Sequence, residues 1–357
     1  MKYAIDENNI DPAFANTAQR RKFLAGLAAL GAGALIPGCA SNAQAPGTAG
    51  AKPYRIDVHH HFVTPTYTAA LKTHGIRQVP WTVQQSLEDM DKSGIAIAIN
   101  SLPPPAISFG DVPLGRKLAR DANEYAARLV ADYPRRFGSF ASIPLPDTEG
   151  SLSEIAYALD KLNAEGIGLM TSYSGKYLGD PVFWPVLEEL NRRKTVVYTH
   201  PTPPLCCTAV LPALSINTIE GPVDTTRTIA SLLYGGAAAR YPDIRWIFSH
   251  SGGVAPFLLS RFEVQEQLTK DAQQKLPRGM MYELRKFYYE TAQGNHSGAL
   301  TALMKIAPIS QMLYGTDHPF RLGAEENAGL GQYGFSAADL IAIERDNALR
   351  LLPKLKA

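Results

Sequence analysis

The feature that most constrains the fold of this chain is a repeated alternation between short apolar runs and longer amphipathic stretches. The longer stretches have helical periodicity, whereas the short runs are largely apolar, as strands buried on both faces are. Eight such runs follow one another: Arg55–His61, Ile95–Leu102, Phe137–Leu145, Gly166–Ser172, Thr195–Pro201, Ile244–Gly253, Lys286–Ala292 and Gln311–Phe320. Eight strands that alternate with helices predict a (β/α)8 TIM barrel of the α/β class.

The stretches between the runs are predicted to be the helices of this barrel, and an open doubly wound sheet is the alternative. No glycine-rich phosphate-binding loop follows the first run, so the dinucleotide-binding version of that sheet is disfavoured. The predicted helices are Leu114–Tyr133, Ser151–Ala164, Pro181–Arg193, Thr225–Ala239 and Gly298–Lys305, with a closing helix over Ala337–Leu352. We expect the barrel to occupy residues 51–357.

Composition places the chain among globular proteins. Of its 357 residues, 45% are hydrophobic and 19% are charged, and the formal net charge is only +2. Such a small charge excludes strong electrostatic attraction to nucleic acid. The three cysteines, Cys39, Cys206 and Cys207, are too few for a disulfide scaffold.

Residues 1–50 have the character of a leader and tether. Arg20 and Arg21, followed by Phe23 and a weakly apolar stretch, resemble a twin-arginine export signal. The segment Leu35–Ser41 resembles a bacterial lipoprotein box that would carry a lipid on Cys39. We expect a periplasmic protein or a membrane-anchored lipoprotein, and the alternative is an amphipathic N-terminal helix.

Six of the eight histidines fall at the carboxyl ends of predicted strands, where TIM barrels carry their active sites. His59, His60 and His61 end the first strand, and alternation places His59 and His61 on one face and His60 on the other. His200 ends the fifth strand and Asp317 the eighth. Three imidazoles and one carboxylate suit Zn²⁺, or Mn²⁺ or Fe²⁺ with added waters. We therefore expect His59, His61, His200 and Asp317 to bind a metal ion.

His250 ends the sixth predicted strand and is not needed to complete this set of ligands. An imidazole titrates near neutral pH, which suits a general acid or base. We predict that role for His250, and the alternative is a histidine that supports the ligands.

The combination of these segments resembles the amidohydrolase superfamily. Within it, the chain is similar to the metal-dependent nonoxidative decarboxylases, a branch that includes aminocarboxymuconate-semialdehyde, γ-resorcylate and 6-methylsalicylate decarboxylases. The resemblance spans about residues 54–355 and is carried by Ile56–Phe62, Arg136–Pro146, Tyr177–Pro181, Thr199–Pro201, Phe248–Gly253 and Gly315–Phe320. The segments are most similar to those of the 6-methylsalicylate decarboxylase group.

The resemblance places the family's metal ligands on His59, His61, His200 and Asp317 and its catalytic histidine on His250. Binuclear members of the superfamily carry a carboxylated lysine at the end of the fourth strand. Here that strand ends with Gly168–Ser172, which contains no lysine, and Lys176 lies in the following loop. One divalent ion is therefore expected, with Zn²⁺ preferred and Mn²⁺ as the alternative.

The resemblance implies nonoxidative decarboxylation of an aromatic or unsaturated, salicylate-like carboxylic acid. The proton that replaces the carboxylate would come from His250, from Asp317 or from a bound water. A metal-dependent hydrolase of a lactone or amide on the same scaffold is the alternative. A noncatalytic metal- or ligand-binding lipoprotein is a third hypothesis, against which the complete set of site residues argues.

Substrate contacts are harder to predict. Arg321 follows the eighth strand and is a candidate for binding the substrate carboxylate, and the alternative is a surface or ion-pair role. Arg261 could reach substrate directly or across a subunit boundary of an expected homodimer. Phe62, Trp81 and Phe320 are candidates for an aromatic wall, and the alternative is that these rings are part of the core. Glu290 on the seventh strand could be paired in the core or line the site.

Overall fold

The computed structural model describes residues 54–202, 204, 207, 211 and 213–356. The expected signal, lipoprotein box and tether, with Arg20, Arg21 and Cys39, lie outside the described residues, as does Cys206. In the described part of the chain, no helix combines the length and apolar character needed to cross a bilayer.

Eight parallel strands follow one another around the main sheet in chain order. Their bounds are β1 Arg55–His61, β2 Ile95–Ser101, β3 Phe137–Ser142, β4 Gly166–Met170, β7 Val196–His200, β8 Arg245–Phe248, β9 Tyr288–Glu290 and β10 Met312–Leu313. A short antiparallel hairpin, β5 Ser172–Tyr173 with β6 Lys176–Tyr177, follows β4 along the chain. The observed strands lie within the predicted apolar runs and are generally shorter than them.

The first strand is hydrogen-bonded to the segment that follows the last strand, so the sheet closes into a barrel. The backbone N–H of Val58 donates to the Tyr314 carbonyl at 3.0 Å. Further along, the Asp317 N–H donates to the His59 carbonyl and the His61 N–H to the His318 carbonyl, both at 2.8 Å. The predicted eight-stranded parallel barrel is thereby confirmed, in place of the open doubly wound sheet.

Helices cover the outside of the barrel between the strands, and polar side chains cap several of them. Thr64, Thr82, Asp111 and Asp147 each accept a backbone N–H from the first turn of the helix that follows. The helices are α1 Pro65–Thr73, α2 Val83–Ser93, α3 Val112–Asp132, α4 Thr148–Asp160, α5 Trp184–Arg192, α6 Ile216–Tyr234, α7 Ala237–Arg240, α8 Leu259–Leu268, α9 Ala272–Lys275, α10 Met280–Lys286, α11 Ser297–Leu303, α12 Gly323–Tyr333, α13 Ala337–Ile341 and α14 Asn347–Leu351. Short 3₁₀ turns span Pro181–Phe183, His250–Gly252, Ala255–Phe257, Ile309–Gln311 and Pro353–Lys356.

The closing helix differs from its predicted form. A π-helical segment, Ala342–Asp346, separates α13 from α14, where the sequence predicts one regular helix. The carbonyl of Ile343 in this segment accepts the backbone N–H of Tyr314, which directly follows β10, at 3.1 Å. This bond joins the C-terminal segment to the residue that follows the last strand.

Two buried apolar clusters support the barrel. The smaller cluster contains strand residues such as Ile56, Ile97 and Phe140, and Ala348 and Leu351 of α14 close it. The larger cluster joins the other faces of the strands to the surrounding helices. This two-layer packing holds the strand ends, and the polar residues on them, in fixed positions.

Candidate metal centre and active site

The end of β1 presents two histidines to the same side. The Nε2 atoms of His59 and His61 lie 3.1 Å apart. His60 points the other way: its Nδ1 lies 3.0 Å from Asp57 Oδ2, and its Nε2 lies 3.0 Å from the Ser86 hydroxyl on α2. The alternation along β1 therefore has the predicted consequence, with two of the three histidines facing one point.

The other three predicted side chains meet these two histidines. Asp317 Oδ1 lies 3.0 Å from His59 Nε2, 3.1 Å from His61 Nε2 and 3.9 Å from His200 Nε2. Asp317 Oδ2 lies 3.3 Å from Nε2 of His250. Potential ligand atoms of His59, His200, His250 and Asp317 all lie within 4.8 Å of one another. The structure thus gathers all five residues, although this group of four contains His250 in place of the predicted ligand His61.

In the three predicted histidine ligands, hydrogen bonds made by Nδ1 determine that Nε2 is the nitrogen that faces the candidate metal position. Nδ1 of His59 pairs with the Glu290 carboxylate at 2.9 Å, Nδ1 of His61 with the Ser101 carbonyl at 3.2 Å, and Nδ1 of His200 with the Pro201 carbonyl at 2.8 Å. Because Nδ1–H donates to these acceptors, the proton of each neutral ring is on Nδ1 and the lone pair of Nε2 is left for a metal. Nε2 of His200 is buried and has no hydrogen-bond partner among the residues that the structure describes. The donor set therefore fits a divalent cation.

The charge of the site also suits a cation. Burial lowers the pKa of His200 to about 3 and also lowers that of His61, so both rings are neutral. Burial opposes the charge of His59 too, but the Asp317 and Glu290 carboxylates outweigh it and raise the pKa of His59 to about 10. Burial likewise opposes the charge of Asp317, yet the surrounding histidines hold its pKa well below the usual range. A metal ion would replace the His59 proton in compensating the two carboxylates.

Asp57 supports the site from behind and was not predicted to do so. Its buried carboxylate accepts the backbone N–H groups of His59 and Thr316, both at 3.0 Å, and the Thr316 hydroxyl at 2.6 Å. It therefore joins β1 to the segment that carries Asp317. An aspartate within an otherwise apolar, buried strand was the available signal, because buried carboxylates need partners.

Gln293, which follows β9, is a second residue that the sequence did not single out. Its Nε2 donates a hydrogen bond to Asp317 Oδ2, the oxygen that also faces His250. A polar residue just after a strand is too common to mark a site.

The residues proposed to contact substrate occupy different environments. Phe62 is 2% exposed and packs against the rings of Trp81 and Tyr125. Phe320, by contrast, is 49% exposed and its ring centroid lies 5.6 Å from that of His61.

The two arginines are exposed. Arg321 has a side chain that is 54% exposed, with Nη1 3.6 Å from a Glu325 carboxylate oxygen, and Arg261 lies on the exposed side of α8.

At the end of β4, the Thr171 hydroxyl donates a hydrogen bond to the carboxylate of Asp224, while Lys176 in β6 lies 3.6 Å from Asp180 at an exposed position. No lysine therefore faces the histidines from the described end of β4.

Comparison with known proteins agrees with this architecture. The chain is 37% identical to decarboxylase yanB of Aspergillus niger over 327 residues, which cover 85% of this chain and 88% of that protein. It is 34% identical to the 6-methylsalicylic acid decarboxylase acuB of Aspergillus aculeatus over 323 residues, with coverage of 85% and 97%. A crystal structure of a dihydroxybenzoic acid decarboxylase from a Polaromonas species, with bound manganese and an inhibitor, matches with a TM-score of 0.75 at 23% identity, over 85% of this chain and 98% of that one.

The family model described as amidohydrolase matches residues 56–354, which is nearly the whole described region. The resemblance to the decarboxylase branch, predicted from the strand-end segments, is confirmed by these relatives. The chain therefore belongs to the amidohydrolase family.

Proposed function

We propose that this protein is a metal-dependent nonoxidative decarboxylase of a salicylate-like aromatic acid. The observation that carries the proposal is the convergence of three histidine Nε2 atoms and one carboxylate at the strand ends of a barrel whose relatives are named decarboxylases. The relatives favour this function over the hydrolase alternative.

We assign the metal to Nε2 of His59, His61 and His200 and to Oδ1 of Asp317. The two oxygens of Asp317 support this choice over a set that contains His250, because Oδ1 faces the first three rings whereas Oδ2 faces His250 and Gln293. When bound, the ion supplies Lewis-acid polarisation of the substrate's carboxylate and adjacent hydroxyl. Zn²⁺ is the preferred ion for this donor set, and Mn²⁺ is the alternative, in line with the manganese in the Polaromonas enzyme.

His250 is positioned to supply the proton. The reaction adds one proton to the ring carbon that bears the carboxylate. The bond between this ring carbon and the carboxylate carbon breaks, and CO₂ is released. At 12% exposure, the side chain of His250 is more exposed than that of Asp317. Its Nδ1 is buried and has no hydrogen-bond partner within the described residues, so none of these residues holds this nitrogen.

We assign the entrance of the site to Phe320 and Arg321. The exposed ring of Phe320 beside His61 offers a face or edge to an aromatic substrate. Arg321 is the next residue and can bring a guanidinium to a carboxylate. Arg261, at an exposed position of α8, and Phe62 stay predicted substrate contacts. Phe62 is 2% exposed, so we propose the exposed Phe320 as the main aromatic contact.

The cellular setting is part of the proposal. The paired Arg20 and Arg21 support export to the periplasm, and Cys39 supports a lipid anchor at the membrane. A homodimer is supported by exposed apolar side chains on and beside α8, namely Phe257, Val264 and Leu268. Replacement of both arginines by lysine should leave folded protein in the cytoplasm, and unchanged periplasmic delivery would contradict the export proposal.

The chemistry is tested by product analysis. Metal-loaded protein is incubated in parallel with a panel of 2-hydroxybenzoates and a panel of aromatic lactones and amides. The proposal predicts CO₂ and a decarboxylated phenol from one or more of the acids. Ring opening or amide cleavage without CO₂ would instead support the hydrolase alternative.

A further inference from the structure

Asp317 and the two residues that contact its Oδ2 atom, His250 and Gln293, have left-handed backbone conformations. The φ angles are 52° for His250, 54° for Gln293 and 66° for Asp317 itself. Such conformations are unfavourable for a residue with a side chain and persist where the surrounding structure enforces them, often at functional sites. Gln293 is the member of this group to which the proposed chemistry assigns no role.

The turn after β9 holds Gln293 in this conformation. Glu290 accepts the backbone N–H of Ala292 at 2.6 Å, and the Thr291 carbonyl accepts the N–H of Gly294 at 2.9 Å. The backbone on both sides of Gln293 is therefore fixed, and it directs the amide toward Asp317. The same Glu290 carboxylate holds His59, so the turn and the metal-binding ring share one support.

The amide of Gln293 acts on one oxygen of Asp317 only. Its Nε2 donates to Oδ2, while Oδ1 faces His59 and His61 at 3.0 and 3.1 Å. A hydrogen bond to a charged acceptor is stronger than one between neutral groups. The bond therefore favours the rotation of the carboxylate that leaves Oδ1 directed at the histidines.

On its other side, Gln293 borders a polar cavity. The cavity has a volume of about 170 Å³, and its lining includes Gln293, Asn295, Thr316, Arg321, Glu325 and Glu326. Glu326 is 2% exposed, and its Oε1 has no hydrogen-bond partner within the described residues. A polar space of this size holds more than one water, since each needs roughly 10–15 Å³. Gln293 thus contacts both this polar space and the Asp317 carboxylate.

We propose that Gln293 is a positioning residue that fixes Oδ1 of Asp317 toward the metal by donating a hydrogen bond to Oδ2. The inference rests on the proposed metal site. It does not require that the substrate be known, because the predicted effect is on metal affinity.

The test compares two substitutions of Gln293 in the full-length protein, with the Zn²⁺ dissociation constant measured by chelator competition and Tm measured on the same samples. Gln293→Leu fills a similar volume but donates nothing, so Zn²⁺ affinity should fall about 10- to 100-fold, as for other residues that orient a metal ligand. Gln293→Ala should lose less, because water from the cavity can take the place of the amide. A packing role predicts the opposite order, since the alanine removes more volume.

Gln311→Leu is the matched control. Gln311 Nε2 donates to the Lys286 carbonyl at 2.7 Å just before β10, at the opposite end of the barrel, and its loss should leave Zn²⁺ affinity unchanged. Unaltered affinity in Gln293→Leu, or weaker binding in Gln293→Ala than in Gln293→Leu, would overturn the proposal. Tight Zn²⁺ binding by the wild-type protein without any CO₂ release would count against the proposed function alone.

Discussion

Nδ1 of His59 lies 2.9 Å from Oε1 of Glu290, and both side chains are completely buried. The same Oε1 accepts the backbone N–H of His250 at 2.6 Å. One carboxylate on β9 therefore sets the tautomer of a β1 ligand and holds the backbone of the acid–base candidate that follows β8. His59 and His250 come from two separate segments and depend on this one side chain for their mutual placement.

Glu290→Gln should lower metal affinity by about 10- to 100-fold. The hydrogen bond to the Glu290 carboxylate orients the His59 ring and raises the basicity of that ring, and a neutral amide makes a weaker bond. Chelator competition measures the effect. Glu88→Gln, at an exposed position of α2, is the control and should bind metal as the wild type does. Equal affinity in Glu290→Gln and the wild type would show that His59 needs no such support.

His61→Ala and His60→Ala should differ in metal content. Nε2 of His61 faces Asp317 Oδ1, whereas His60 lies behind β1 and stacks on the His318 ring at 4.5 Å. His61→Ala should lose the ion, and His60→Ala should keep about one ion per chain while Tm falls, because a buried ring and its hydrogen bonds are removed. Elemental analysis of both proteins decides the matter. Retention of the ion in His61→Ala would mean that His250 is the third imidazole ligand.

His250→Asn should separate metal binding from turnover. Loss of a general acid or base lowers the rate typically about 10²- to 10⁴-fold, whereas a ring outside the ligand set leaves the ion in place. Metal content and single-turnover rate are measured on one preparation. Joint loss of metal and activity would make His250 a ligand, and turnover within a few-fold of the wild type would assign the proton to Asp317 or a water.

Phe320→Ala should change KM, whereas Phe62→Ala should change the stability of the fold. Phe320 is exposed beside His61, so its loss should raise KM about 2- to 13-fold, equivalent to an aromatic pair of about 0.5–1.5 kcal/mol, with little change in Tm. Phe62 is core, and its loss should lower the free energy of unfolding by about 3–5 kcal/mol. If KM rose in Phe62→Ala and not in Phe320→Ala, Phe62 would be the aromatic residue that contacts the substrate, as the sequence predicts.

The barrel and the five central residues could be predicted because each depends on a local pattern. Continuous apolar runs mark strands buried on both faces, and His59, His61, His200, His250 and Asp317 sit at the ends of such runs. Strand ends of a parallel barrel meet at one face, so position along the strand is enough to bring these residues together.

The supporting contacts could not be predicted in the same way. Gln293 reaches Asp317 only through a left-handed turn, and the π-helical turn at Ile343 depends on a bond to a distant strand. Likewise, the exposure that distinguishes Phe320 from Phe62 depends on packing by Trp81 and Tyr125. Such relationships arise from tertiary contacts between segments far apart in sequence.

The most direct test of the central claim uses one preparation, stripped of metal and then reloaded with Zn²⁺ or Mn²⁺, and carboxyl-labelled 6-methylsalicylate or a related 2-hydroxybenzoate in D₂O. We predict labelled CO₂ in equal amount to a phenol that carries one deuteron at the ring carbon that formerly bore the carboxylate, with loaded protein only and no consumption of oxygen. Metal-loaded protein that releases no CO₂ from any acid of the series, or stripped protein that is equally active, would contradict a metal-dependent nonoxidative decarboxylase.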